Sequence, residues 1–115
     1  MTSINEALKQ NVEAAWKELE SIVSGDAYNP DEEMEISVGD WLMDALDIDY
    51  RVASDGVCIG CRVWVVLGGP SVWLDTEDAA FHGAWGSEKY TLPIPYAVTQ
   101  DVQEYAWDCR GCFLD

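Results

Sequence analysis

The stretch between Asp26 and Asp49 contains nine acidic residues and neither a lysine nor an arginine. It belongs to a chain whose formal net charge is −16 at pH 7. Like charges at this density repel one another and destabilise a compact state. A domain that folds in spite of such a block usually has a basic partner, or displays its negative charge for another purpose. This feature therefore predicts the character of a partner more firmly than it predicts an activity.

The length and the aromatic content favour one folded domain that spans residues 1–115. A chain of 115 residues is large enough for a single hydrophobic core. Hydrophobic residues make up 49% of the chain and include six tryptophans, whereas disordered acidic chains lack aromatic residues. We therefore do not expect intrinsic disorder.

The charge also limits the ligands and the location. Residues 1–50 hold 13 acids and two bases, a net charge of −11, and residues 51–115 hold nine acids and four bases, a net charge of −5. Such a surface repels nucleic acids and anionic membranes, so we expect neither to bind directly. No apolar run approaches the ~20 residues of a membrane span, and no signal peptide is visible. We expect a cytoplasmic protein whose four cysteines are reduced.

Two helices are predicted in the N-terminal half. Apolar residues recur at helical spacing at Ile4, Leu8, Val12, Ala15, Leu19 and Ile22. Ser3 and Glu6 form a capping box for this helix, and Gly25 is placed to end it. A second helix is expected to begin near Ser37, with Asp40 completing its capping box. Its buried face would consist of Trp41, Leu42, Ala45, Leu46 and Ile48.

From Tyr50 onward the hydrophobic period changes to two, which predicts strands. Asp55-Gly56 is a favoured hairpin turn, and Gly68-Gly69-Pro70 forces another. Four strands are expected, at residues 50–53, 57–66, 71–76 and 80–85. A last helix is expected from about Pro95 to Asp108, closed by Gly111. Its inward residues would be Val98, Val102, Tyr105, Ala106 and Cys109.

Strands grouped in the middle of the chain indicate an antiparallel sheet with helices on one face. The predicted fold is therefore α+β, with two N-terminal helices, a four-stranded antiparallel meander and a C-terminal helix. Trp64 and Trp73 alternate with aliphatic residues along their strands, so one face of the sheet would be aromatic. That face is either a core beneath the helices or a surface that binds protein.

Two Cys-x-x-Cys pairs, Cys58/Cys61 and Cys109/Cys112, provide the donor set of a structural zinc site. Two observations oppose such a site. The pairs are separated by 47 residues, and in a continuous strand Cys58 and Cys61 would point to opposite faces. Inert reduced thiols and redox or disulfide pairing remain as alternatives.

The other candidate sites do not favour catalysis. His82 is the only histidine, and the sequence places no serine or cysteine beside it. Gly68-Gly69-Pro70 precedes a strand rather than a helix and no lysine follows it, so it predicts a turn and not a phosphate-binding loop. We therefore expect no enzyme and, apart from the zinc alternative, no cofactor. A small hydrolase or redox protein is the least supported hypothesis.

Part of the acidic block has the spacing of a helix face. Asp40, Asp44 and Asp47 fall at i, i+4 and i+7, opposite the apolar residues of the second helix. Their axial spacing of about 5–6 Å approaches that of neighbouring phosphates on one nucleic-acid strand. No lysine at i+4 offsets the repulsion between them. The alternative is a solvated helix face without a partner.

Two motifs in the second half of the chain carry a resemblance. Residues 68–76 read Gly-Gly-Pro-Ser-Val-Trp-Leu-Asp-Thr, and residues 83–86 read Gly-Ala-Trp-Gly. Together with the surrounding residues 50–108 they resemble a small group of uncharacterised bacterial proteins, borne by phages or plasmids, that share Gly-Gly-Pro-x-x-x-x-x-Thr and Gly-x-Trp-Gly. The four cysteines lie outside that pattern. In size and charge the chain is also similar to acidic DNA-mimic inhibitors of host defence, such as anti-restriction and anti-CRISPR proteins.

These features lead to a functional hypothesis. The chain is expected to be an acidic protein-binding module, a DNA-mimic type of inhibitor that blocks a basic, nucleic-acid-binding protein or a defence nuclease and that a phage or plasmid encodes. The partner-binding charge would come from Asp31, Glu32, Glu33, Glu35, Asp40, Asp44, Asp47 and Asp49. The alternative is a zinc-stabilised structural or interaction scaffold held by Cys58, Cys61, Cys109 and Cys112.

Overall fold

A computed structural model describes residues 4–25, 28–29, 34–35 and 37–113. Its helices and strands are, in chain order, α1 (Ile4–Val23), β1 (Tyr28–Asn29), β2 (Met34–Glu35), α2 (Val38–Met43), β3 (Asp47–Val52), β4 (Cys58–Val66), β5 (Ser71–Asp75), β6 (Ala80–Trp85), β7 (Glu88–Pro93), α3 (Tyr96–Asp108) and α4 (Arg110–Phe113). The first two strands form a small antiparallel ribbon, and the other five form one antiparallel sheet in the order β3-β4-β5-β6-β7. Every described helix is too short or too polar to cross a membrane.

Helix α1 packs across one face of the sheet. Its residues Leu8, Val12 and Leu19 are fully buried. At Gly83 in β6 the helix comes so close that an added Cβ would lie 2.6 Å from Val12 Cγ2 and 2.8 Å from Leu8 Cδ1. The predicted end of the helix at Gly25 is confirmed by its φ of +82° and by its N–H, which donates to the Ile22 carbonyl. The predicted cap Ser3 lies outside the described residues.

Helix α3 lies on the same side of the sheet as α1. Hydrogen bonds join α3 to residues of the sheet and of the turn after β5. The Thr76 hydroxyl, fully buried, donates to Gln103 Oε1 at 2.8 Å and accepts from the Cys61 N–H at 2.9 Å. The Tyr50 hydroxyl donates to the Ala106 carbonyl at 3.0 Å. The core between sheet and helices is completed by fully buried aliphatic and aromatic side chains, namely Val63, Val72, Leu74, Phe81 and Val102.

The α+β class and the antiparallel sheet are confirmed, but the prediction of four strands is wrong because β7 is a fifth. Gly86, with φ of +62°, allows the tight turn that pairs Trp85 with Glu88. Tyr90 and Leu92 then pack against the core, and Pro93 ends the strand at the edge of the sheet, where a missing N–H is tolerated. The first strand of the sheet also begins at Asp47, three residues before the predicted Tyr50.

The second helix begins as predicted but is much shorter. Ser37 caps it, and Asp40 accepts from the Ser37 N–H to complete the capping box. The helix ends at Met43 because the chain is then drawn into the sheet, where the Leu46 N–H donates to the Trp64 carbonyl at 2.8 Å. The predicted helix face through Ala45, Leu46 and Ile48 is therefore wrong, and Leu46 is 58% exposed.

The C-terminal helix confirms its predicted range but not all of its details. Val102 and Ala106 are fully buried, as predicted, whereas Tyr105 is 43% exposed. Gly111 does not close α3, because α3 ends at Asp108 and Gly111 lies within the short helix α4.

Candidate functional site

The predicted partner-binding acids do not form one helical stripe. Asp31, Glu32 and Glu33 lie outside the described residues, and the side chain of Glu35 is not described. Of the other four, Asp40 is in α2 and Asp44 is its C-cap. Asp47 and Asp49 belong instead to the edge strand β3, so the expected i, i+4, i+7 arrangement through residue 47 is wrong.

Three of these acids have local structural roles, since Asp40 Oδ2 accepts from the Ser37 N–H and hydroxyl in the capping box. Asp47 Oδ1 accepts from the N–H of the next residue, Ile48, at 2.9 Å. Asp49 Oδ2 accepts from Trp64 Nε1 at 3.0 Å, which links β3 to its neighbour β4. The carboxylates of Asp47 and Asp49 stabilise the edge of the sheet, and this limits how far their charge is available to a partner.

A stripe of acids with helical spacing is found on α3, where we did not predict it. Asp101, Glu104 and Asp108 fall at i, i+3 and i+7 and are exposed. Tyr105, between them, packs against α2, because a Cβ added at Gly39 would lie 2.6 Å from the Tyr105 hydroxyl. Helices α2 and α3 are thus neighbours. We define the α2–α3 acidic surface as the exposed carboxylates of Asp40, Asp44, Asp101, Glu104 and Asp108.

No described cation forms an ion pair with the α2–α3 acidic surface. Ion pairs elsewhere among the described residues include Lys9–Glu13, Arg51–Glu77, Arg62–Asp75 and His82–Asp78. The cation nearest along the chain, Arg110, instead lies 4.0 Å over the Trp107 ring and donates to the Trp107 carbonyl. The five carboxylates are therefore not neutralised by the side chains that the structure describes.

A β-bulge corrects the prediction that Cys58 and Cys61 point to opposite faces. Tyr50 pairs with Cys61 and Val52 pairs with Cys58, so Ile59 is the extra residue. Because Tyr50 and Val52 share a face, their two partners also share one. Both cysteines thus face the helices, and Cys61 is almost fully buried.

The described thiols nevertheless do not assemble a metal site. Among the described residues, ligand atoms of three histidine, cysteine or acidic side chains lie within 4.8 Å of one another only at Asp75, Asp78 and His82. Cys58, Cys61 and Cys109 are free thiols. The side chain of Cys112, the fourth ligand of the zinc hypothesis, is not described.

One row of aromatic side chains, which contains Trp64, Trp73 and His82, lies on the face of the sheet opposite the helices. Trp64, Trp73, His82 and Thr91 are direct neighbours across β4, β5, β6 and β7. The ring centroids of Trp64 and Trp73 are 4.7 Å apart, and Trp73 stacks on His82 at 5.5 Å. The neighbours of this row along the strands, such as Val63, Val72 and Phe81, are buried in the core. Because side chains alternate between the two faces of a sheet, the aromatic row lies on the other face, and its interpretation as a core beneath the helices is wrong.

His82 ends this aromatic row with both ring nitrogens in contact with polar groups. Its Nδ1 lies 3.1 Å from Thr91 Oγ1, and its Nε2 lies 2.6 Å from Asp78 Oδ2. One carboxylate oxygen of Asp75 lies within 4.8 Å of the Asp78 carboxylate and of the His82 ring. Asp75 Oδ2 also lies 3.4 Å from Arg62 Nε. The sequence suggested a half-exposed histidine here but gave no sign that two aspartates converge on it.

A pocket of about 340 Å³ opens between β4 and α3. It is lined by polar and aromatic side chains together with one thiol, including Cys58, Gln100, Gln103, Trp107 and Asp108. The only histidine of the chain lies on the other face of the sheet, so no imidazole is available to activate Cys58. The pocket therefore places carboxylates but no imidazole around Cys58.

Comparison of the chain with protein-family models, with curated proteins and with solved structures finds no match. The resemblance to the Gly-Gly-Pro motif group and to DNA-mimic inhibitors stays a prediction.

Proposed function

We propose that this protein is a non-enzymatic binding module that uses the α2–α3 acidic surface to block a basic, nucleic-acid-binding protein. The inhibitor type is that of a DNA mimic, and the partner class is a defence nuclease or a similar enzyme met by a phage or plasmid. The observation that carries the proposal is the row of exposed acids on α3, Asp101, Glu104 and Asp108, near one acid in α2 and another at its C-cap.

The geometry of the row supports this function. At a rise of ~1.5 Å per residue, the three α3 positions are separated along the axis by about 4.5 and 6 Å. This spacing is roughly that of successive phosphates along a strand. A basic groove that holds phosphates would therefore meet carboxylates at similar intervals, and long-range attraction would accelerate the encounter.

A pair of variants with equal net charge tests the proposal. Variant one carries Asp101→Asn, Glu104→Gln and Asp108→Asn. The control neutralises three acids elsewhere on the surface, by Glu18→Gln, Glu20→Gln and Asp55→Asn. Wild type immobilised on a resin is used to recover proteins from a bacterial lysate, and duplex DNA is then added as a competitor.

We expect a recovered nucleic-acid-binding protein to be released by duplex DNA and to bind variant one about tenfold more weakly than the control. Its association with wild type should slow as salt is added. Equal affinity for variant one and the control contradicts the role of α3, and a partner that DNA does not displace contradicts mimicry.

The second candidate function is the zinc-stabilised scaffold. The bulge at Ile59 favours it, because it turns Cys58 and Cys61 to the same side of the sheet. Elemental analysis of protein purified under reducing conditions decides the matter. One equivalent of zinc that is lost in Cys58→Ser supports the scaffold, and metal-free folded protein rejects it.

A further inference from the structure

Three potential metal ligands converge on the face of the sheet opposite α1 and α3, away from the α2–α3 acidic surface. Asp75 ends β5, Asp78 lies in the following turn, and His82 is in β6. One ligand atom from each lies within 4.8 Å of the other two. A tetrahedral ion with bonds of about 2.0–2.2 Å holds its ligand atoms about 3.4 Å apart, so small side-chain rotations suffice to enclose one.

The imidazole is held in the orientation that a ligand needs. The 2.6 Å contact of Nε2 with Asp78 Oδ2 needs a proton on Nε2, and a cation that replaces this proton requires an N–H at Nδ1, where Thr91 Oγ1 at 3.1 Å can accept it. Stacking on Trp73 fixes the plane of the ring. Thr91 and Trp73 do not belong to the proposed ligand set. A hydrogen bond at the ring nitrogen that does not bind the metal is the usual support of a metal-bound histidine.

The two carboxylates keep free coordination sites. Asp75 Oδ1 accepts from the Glu77 N–H at 2.9 Å, and its Oδ2 has a single contact with Arg62 Nε at 3.4 Å. Asp78 Oδ2 contacts only His82 Nε2 among the described hydrogen bonds. A carboxylate offers about four lone-pair directions, so Asp75 can bind a cation and keep its contacts, whereas at Asp78 the cation takes the place of the hydrogen bond from Nε2.

We propose that Asp75, Asp78 and His82 form a binding site for a first-row divalent transition-metal ion such as Zn²⁺ or Co²⁺, with water completing the coordination. One imidazole and two carboxylates favour these ions over Mg²⁺, which prefers oxygen ligands alone. The site is independent of the proposed partner-binding surface and of the cysteines.

The test is a titration of the full chain with Co²⁺ under reducing conditions. Visible absorption reports the coordination sphere, and the imidazole signals in an NMR spectrum report His82 without ambiguity, since the chain has one histidine. We expect one saturable site that shifts these signals. His82→Gln and Asp78→Asn should each weaken Co²⁺ binding at least about tenfold, and Thr91→Val should weaken it about tenfold through loss of the supporting hydrogen bond.

Controls separate this site from general attraction to an acidic protein. Glu18→Gln, on the exposed side of α1, should bind Co²⁺ like wild type, and Mg²⁺ should leave the imidazole signals unchanged. Circular dichroism without metal verifies folding, and Asp78→Asn, in an exposed turn, replaces His82→Gln if that variant does not fold. Unchanged affinity in Asp78→Asn, an equal response to Mg²⁺, or a thiolate charge-transfer band that appears without a shift of the imidazole signals overturns the proposal.

Discussion

Two weakly acidic side chains lie at the boundary between the sheet and α3. Burial raises the pKa of Cys61 from 9.0 to about 11, and it is the main reason that the pKa of Tyr50 rises from 10.0 to about 12. The neighbouring thiols of Cys61, Cys58 and Cys109 add to the increase at Tyr50. Each group is therefore neutral in the folded protein at a pH where it ionises in the unfolded chain.

Cys61 predicts a loss of stability at alkaline pH. Its contribution is complete below about pH 9, where both states hold the proton, and is lost as the pH rises towards 11, because only the unfolded state has then released it. A pKa change of this size corresponds to roughly 3 kcal/mol in the free energy of unfolding. Urea unfolding of wild type should show this decline between pH 9 and 11, and Cys61→Ala should make it shallower and leave the part that Tyr50 contributes above pH 10.

The matched control for this measurement is Cys109→Ala, which removes a thiol that is only half-buried. It should keep the wild-type slope between pH 9 and 11. If Cys61→Ala and Cys109→Ala decline equally, the buried thiol is not the cause.

At the scale of the element, local signals predicted α1 and the strands β4, β5 and β6 well. The capping box at Ser37 also marked the start of α2 correctly. The end of α2 was not predictable, because it depends on the hydrogen bond from Leu46 to Trp64, a residue 18 positions later. Sequence periodicity reports which face of an element is apolar, but it does not report where a distant strand captures the chain.

The contact between α1 and β6 predicts a sharp cost for a small substitution. In Gly83→Ala the new methyl group would overlap Val12 and Leu8, both fully buried, so the helix must move away from the sheet. We expect the free energy of unfolding to fall by about 1–3 kcal/mol, as for other overpacked cores. Urea unfolding measures the change.

Gly111→Ala serves as the comparison for Gly83→Ala, because no heavy atom lies within 4 Å of a Cβ added there. It should unfold at the wild-type midpoint or slightly above it. A Gly83→Ala protein as stable as Gly111→Ala would show that α1 and β6 are not in close contact.

At the scale of the whole molecule, charge density predicted an acidic surface but misplaced part of it. The block before residue 50 drew attention to Asp40, Asp44, Asp47 and Asp49, of which the last two belong to a strand. The helical spacing of the acids of α3 can be read from the sequence. These acids are few and far apart along the chain, so charge density alone did not point to them. Density along a sequence does not report which charges share a surface, because that is decided by helix ends and by the packing of α2 against α3.

Net charge predicts that salt stabilises the fold. Screening lengths fall from about 30 Å at 0.01 M to about 8 Å at 0.15 M, and the molecule measures 46 × 42 × 27 Å. At low salt each carboxylate is therefore repelled by most of the others. This repulsion destabilises the folded state more than the expanded unfolded state. The urea midpoint should rise when NaCl is increased across this range.

The variant Asp101→Asn, Glu104→Gln, Asp108→Asn sharpens the salt experiment. It should be more stable than wild type at low salt, and its midpoint should depend less on NaCl. A wild-type midpoint that is constant or falls with added salt would mean that self-repulsion does not limit this fold.

The pairing of Trp64 with Trp73 has an optical consequence. Two indoles whose centroids are 4.7 Å apart couple their electronic transitions, and the coupling vanishes once the strands separate. The molecule thus contains its own spectroscopic reporter, an exciton couplet that follows the integrity of the β4–β5 ladder without any attached dye.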